Sequence, residues 1–192
     1  ALVRPARKLK VGEVVAPAAG DGLRVVIGED RGEGRRVVTL ETDGPLLDTI
    51  ERHGAMPLPP YITAPLGDRD RYQTVFAERP ASAAAPTAGL HLTTDLLERF
   101  RERGIGRADV ELVVGLGTFR PITADRIEDH VMHAEQYRVP QSTLDAIAAT
   151  RARGGRVVAV GTTSVRALES TAVTGRLEGR TELFLHGEHE FT

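Results

Sequence analysis

The amino-acid sequence predicts an α/β protein in two parts, an antiparallel β module followed by a mostly parallel α/β unit. Three observations predict it. Up to residue 42 the apolar residues come in short alternating runs, broken by Gly20, Gly22, Gly28, Gly32 and Gly34, which is the period of strands and turns. Beyond a proline-rich stretch at 55–65 helical and strand patterns alternate, as they do where crossover helices connect the strands of one sheet. Finally, the apolar run Val157-Val158-Ala159-Val160 leads without a spacer into Gly161 and a helical pattern, which suits a strand buried on both faces in the middle of a parallel sheet.

Composition narrows the class. With 192 residues, 41% hydrophobic and 27% charged, the chain reads as a soluble globular protein of one or two domains. It has no cysteine, which excludes disulfides and thiolate metal sites. No apolar run approaches the roughly 20 residues that span a bilayer. No basic segment precedes an apolar one as in a secretory signal, so a cytoplasmic location without a membrane partner is expected. A formal net charge of −2 argues against holding nucleic acid by bulk charge, although a local basic patch can still do so.

Taken in order, the chain opens on a strand-like segment with Arg4, Arg7, Lys8 and Lys10 and no acid. These cations suit phosphate contacts or the protection of a strand edge. There is no initiator Met, so a fragment is expected. Residues 11–15, 23–27 and 35–40 read as strands of an incomplete small barrel. Residues 45–54 read as a short helix with Pro45 near its start and Gly54 past its end, closing that module. Pro57, Pro59 and Pro60 then enforce a stiff, extended path. The expected division is therefore a partial β-barrel domain at 1–54, a linker at 55–65 and a partial α/β domain at 66–192.

In the second part, Thr93 or Thr94 caps a helix carrying Leu96, Leu97 and Phe100, which Gly104 ends. Residues 110–114 read as a strand. Ser142 opens the next helix, with Asp145 in the capping-box position, Leu144, Ile147 and Ala148 on its core face, and Gly154-Gly155 as its stop. The 156–160 strand follows, then a helix capped by Thr162 or Thr163, with Val165, Leu168 and Ala172 on one face.

Five residue groups have the chemistry of a site. Thr162, Thr163 and Ser164 would offer hydroxyls and free N–H groups at a helix N-terminus, where an anion is favoured; an ordinary capped turn reads the same way. Gly115, Gly117 and Thr118 follow a strand but lack the third glycine of the dinucleotide fingerprint, leaving close backbone approach to a ligand or simple turn chemistry. His130, His133, Glu135 and Tyr137 match neither the zinc-helix motif nor a thiolate site, so no metal is expected. If that segment is extended, His133, Glu135 and Tyr137 share a face and Glu135 can orient His133 for proton transfer; a hydrogen-bonded structural cluster is the other reading. Thr87, Gly89 and His91 belong to a small-residue loop with room for a flat ligand. Arg71, Tyr72 and Gln73 suit phosphate and base contacts, as they would an interdomain salt-bridge network.

Read jointly, residues 57–62, 71–77, 84–91, 114–121, 132–135 and 159–170 strongly resemble the S-adenosylmethionine:tRNA ribosyltransferase-isomerase family of queuosine biosynthesis. The resemblance implies an α/β domain with a β-barrel domain inserted in it, both incomplete here. It also implies transfer and isomerisation of the ribosyl part of S-adenosylmethionine, consumed as donor, to 7-aminomethyl-7-deazaguanine at the tRNA wobble position, with loss of adenine and methionine. On that basis His91, or His133 oriented by Glu135, would move protons. Thr87, Gly89, Gly115, Gly117, Thr118, Thr162, Thr163, Ser164 and Arg166 would hold the donor. Arg71, Tyr72, Gln73, Arg4, Arg7 and Lys8 would face the anticodon arm of a tRNA bound to a monomer. The family usually has histidine where this chain has Val113, and phenylalanine where it has Leu92. Two rivals stand beside this reading: another S-adenosylmethionine-dependent RNA-modifying enzyme, such as a methyltransferase, and a non-catalytic tRNA-binding paralogue or fragment.

Overall fold

The structure, a computed structural model, describes every residue except 4, 6, 7, 19, 21, 33, 56, 60, 61, 65, 66, 69, 116–125, 130 and 131. It is mixed α/β and divides into two units, Ala1–Met56 and Pro57–Thr192.

The first unit is a three-stranded antiparallel sheet in the order β1 (Val14–Val15), β2 (Leu23–Asp30), β3 (Arg36–Thr42). The opening residues run along β3, where Val3 N donates to Gly34 O and Arg36 N to Ala1 O. Among the described residues the sheet is open, not a closed barrel. Val14, Val15, Val37 and Leu40 remain exposed, while Ile27 is buried. Helix α1 (Leu46–His53) packs on β3 and buries Thr49, whose hydroxyl donates to Pro45 O.

The second unit holds helix α2 (Thr94–Glu102), strand β4 (Glu111–Val113), strand β5 (Glu135–Arg138), helices α3 (Gln141–Ala152) and α4 (Thr162–Thr174), and strand β6 (Glu178–Thr181). Thr93 is the cap of α2, its side chain accepting from Leu96 N at 3.2 Å. Thr93→Ala is expected to cost about 1 kcal/mol in denaturant unfolding of the full-length protein, the usual contribution of such a cap. Helix α3 starts one residue earlier than Ser142: it follows Pro140 directly and has no side-chain cap, and Asp145 bonds Gln141 Nε2 instead.

Every described ladder is antiparallel, β4 with β5 and β5 with β6, where the sequence predicted a mostly parallel sheet. The difference lies at 156–160. These residues form no strand, and Val157, Val158 and Val160 are exposed. A strand exists only by virtue of a partner. Here the free edge of β4 is taken by residues 82–83, with Ala83 N donating to Val114 O and the Ser82 hydroxyl to Leu112 O. β6 takes the other edge of β5.

Tyr137, Val139 and Ala167 form the core of this unit, with Val110, Leu112, Leu144 and Leu168 packed against them. The buried residues of α4 are Arg166, Ala167, Glu169, Ser170 and Thr171, not the Val165–Leu168–Ala172 stripe that apolar periodicity suggests. That polar burial is tolerated because its groups, Arg166 Nε excepted, are hydrogen-bonded. Ser170 Oγ bonds Thr181 Oγ1 at 2.6 Å, Thr171 Oγ1 donates to Ala167 O, and Thr174 Oγ1 meets the Tyr137 hydroxyl at 2.9 Å.

Candidate functional site

Helix α4 begins at Gly161, with φ +95°, a conformation that L side chains rarely adopt. No side chain caps this end. Thr162 and Thr163 are thus the first residues of the helix and not its caps, and Ser164 Oγ donates back to Val160 O at 2.9 Å. The first-turn N–H groups and the Thr162 and Thr163 hydroxyls stand where a helix favours negative charge.

A second loop meets that end. Thr87–Gly89 form a short 3₁₀ turn in which Gly89 N donates to Pro86 O and Leu90 N to Thr87 O. A Cβ built on Gly161 would stand 3.2 Å from the Ala88 Cβ, so turn and helix start are in contact. Gly89 is buried, and a Cβ there would come within 2.8 Å of Phe76 Cζ and 3.5 Å of Thr74 Cγ2. Residues 74–76, 87–89 and 161 therefore close on one another. Gly89→Ala is expected to destabilise the full-length protein by about 1–3 kcal/mol, the range for overpacking. Phe76→Leu in the same chain should restore part of that loss in thermal unfolding; no restoration would show that the clash lies elsewhere.

One turn further along α4, Arg166 is buried and its guanidinium joins two segments, residues 133–135 and the end of β6. Nη1 pairs with Glu135 Oε2, and Nη2 donates to His133 O and to Thr181 O, both at 2.9 Å. Glu135 Oε1 accepts from Gly115 N at 3.2 Å. Each side chain of the pair is only 9% exposed. Burial pushes the Arg166 guanidinium below its ordinary pKa, and the Glu135 carboxylate works against that shift.

The structure thus brings Thr87 and Gly89 beside the helix start at Thr162 and Thr163, and it joins Gly115, Glu135, Arg166 and the His133 backbone. Its assignment of Glu135 differs from the expected one. Residues 135 and 137 of β5, and Val139 just past it, alternate inward as the period of two requires, but His133 precedes the strand and is exposed. The Glu135 carboxylate holds Gly115 and Arg166, not the His133 ring. Arg166 in turn bonds protein acceptors through both Nη atoms. His91 is exposed beside the 87–89 turn. Of the expected tRNA contacts Arg71, Gln73 and Lys8 are exposed, whereas Tyr72 is 8% exposed and offers no open ring face for stacking. Gly117, Thr118, Arg4, Arg7 and His130 lie outside the described residues.

Thr181 and Ser170 were not singled out by the sequence. The only signal available was a weak strand pattern around 178–185 and the spacing of Arg166 and Ser170 at one helical turn. Among the described residues no group of three or more His, Cys, Asp and Glu is placed to hold a metal ion, and no helix is long and apolar enough to cross a membrane.

A glycine-started helix is packed on a small-residue turn, and a buried arginine–carboxylate pair ties the ends of three strands. The chain belongs to the family described as queuosine biosynthesis protein, which it matches over residues 1–192. Among its curated relatives is the S-adenosylmethionine:tRNA ribosyltransferase-isomerase of Halothermothrix orenii, 47% identical over 195 residues covering 99% of this chain and 57% of the relative. The proteins of the same name from Pelotomaculum thermopropionicum and Desulfitobacterium hafniense are 48% and 44% identical over similar lengths. The chain spans 57% of the length of each.

Proposed function

We propose that the whole protein to which this chain belongs transfers the ribosyl part of S-adenosylmethionine to 7-aminomethyl-7-deazaguanine at the wobble position of tRNA and isomerises it to the epoxycyclopentanediol of epoxyqueuosine. Family membership supports the reaction class. The observation that carries the site is the packing of the 87–89 turn against the start of α4.

The chemistry makes three demands. The sulfonium acidifies the ribose carbon bonded to it, so a base within reach can remove a proton there and begin the reaction. Adenine leaves more readily when a donor bonds or protonates it. The aminomethyl nitrogen must be neutral to attack. His91, beside the turn, and His133, two residues before β5, are the imidazoles for proton transfer. The methionine carboxylate is assigned to the Thr162, Thr163 and Ser164 end of α4, where helix N–H groups favour an anion. Gly115, Gly117 and Thr118 are assigned to the adenosine. Arg71, Gln73, Lys8, Arg4 and Arg7 are assigned to the phosphates of the anticodon arm, which bind mainly by charge. In the whole protein, residues 1–54 are read as part of an inserted β-barrel domain, and 66–192 as part of an α/β domain in which 157–160 joins a parallel sheet. The same reading makes the protein a cytoplasmic monomer.

Adenine release from S-adenosylmethionine by the full-length protein, with and without precursor tRNA, tests the proposal. Adenine and methionine are expected only when the tRNA is present. S-adenosylhomocysteine as the product would replace the reading with a methyltransferase. Tight tRNA binding with no adenine released would leave a non-catalytic binder.

A further inference from the structure

The Glu135–Arg166 pair sits where the β4–β5 ladder stops. Its register runs Glu111 with Arg138, Leu112 with Tyr137 and Val113 with Gln136, so two further steps would set Gly115 opposite Ala134. The rungs that would continue the ladder are not made between strands. Gly115 N is captured by the Glu135 carboxylate and His133 O by the Arg166 guanidinium, while Val114 is held on its other side by Ser82 and Ala83. Two side chains substitute for the missing rungs and satisfy the backbone groups where the ladder ends. Arg166 also accounts for Thr181 O, so the end of β6 is locked to the same point. The Arg166 bonds start from α4, the helix whose start packs on the 87–89 turn, and Glu135 carries the link on to Gly115. Gly161 and Gly115 are thereby linked through α4, the Arg166 guanidinium and the Glu135 carboxylate.

We infer that Glu135 and Arg166 are positioning residues for the donor nucleoside: through the Gly115 amide they fix the backbone that approaches the adenosine, at a set distance from the helix start that takes the carboxylate. This rests on the ribosyl-transfer reading, and it gives Glu135 and Arg166 a different task from orienting His133 or touching substrate. A wholly structural pair would, when removed, lower the amount of folded enzyme and so the apparent kcat, leaving KM unchanged. A positioning pair that sets the binding backbone raises KM and Kd.

The test uses the full-length protein carrying Arg166→Lys, or the double change Glu135→Met with Arg166→Met. Apolar replacement of both partners removes the buried charges together and preserves folding better than either single truncation. KM and kcat for adenine release are measured per folded enzyme, together with the calorimetric Kd for S-adenosylmethionine. The double variant is expected to raise KM and Kd roughly 10–100-fold, the scale of effect when a supporting contact is lost. Arg166→Lys, which keeps the charge but loses the planar fork, should fall in between. KM and Kd within about twofold of wild type in both variants, or loss confined to kcat, overturns the inference. If the double variant does not fold, Arg166→Lys decides by the same criterion. A wild-type protein that binds S-adenosylmethionine but releases no adenine would end the ribosyl-transfer reading while Kd still judges the pair. One that binds none would end both.

Discussion

Arg166→Met alone, in the full-length protein, is expected to lower stability by about 3–5 kcal/mol, the cost of leaving one partner of a buried ion pair uncompensated. The reason lies in what stays behind. With the guanidinium gone, the Glu135 carboxylate, 9% exposed in the intact pair, would keep Gly115 N as its hydrogen-bond donor among the described residues, and His133 O and Thr181 O would lose the Arg166 Nη2 donor. Each buried acceptor left without a donor costs about 1–3 kcal/mol, more for a charged one. Changing Glu135 to Met as well removes the stranded charge, so the double variant should recover much of the loss. Denaturant unfolding of wild type, both single variants and the double closes the cycle. Additive losses in the two single variants would show that the pair does not act as a unit.

The second large effect is on rate. Replacing the imidazole that moves the proton, by His91→Ala or His133→Ala, is expected to slow adenine release about 10²–10⁴-fold, the usual contribution of general acid–base catalysis. Both rings are exposed, so stability should change by no more than about 0.5 kcal/mol and the loss can be read as chemistry. Near wild-type rates in both variants would remove the histidines from the mechanism. His133 is the more informative of the two, because its backbone is fixed by Arg166 whatever its ring does.

The sequence was legible where local signals were complete. Pro45 and Gly54 bracket α1, Thr93 caps α2 and Gly154-Gly155 follow α3, each of them decided within a few residues of chain. The 84–91 loop was recognised as a candidate site segment from its small residues and the 161–164 turn from its glycine and hydroxyls at a helix start, and the fold packs Ala88 against Gly161. The strand expected at 157–160 is absent, because β-branched residues state a preference for extended backbone while the partner that makes a strand must come from elsewhere in the fold. The polar burial of α4 escaped for a related reason: a periodicity count registers apolar residues, and Arg166, Ser170 and Thr171 go inward only because their partners are waiting there.

By itself, the sequence determined the family, the presence and approximate extent of the four α-helices and the residues with chemistry to offer, since these depend on residue type and short spacing. The tertiary structure alone decided which partner each of them takes. Glu135 could equally have faced His133 by the period of two, and only the arrival of α4, 31 residues later in the chain, turned its carboxylate to Arg166 and Gly115. A carboxylate shielded from water binds the nearest donor that folding brings, and that choice is made by long-range packing, which no local pattern records.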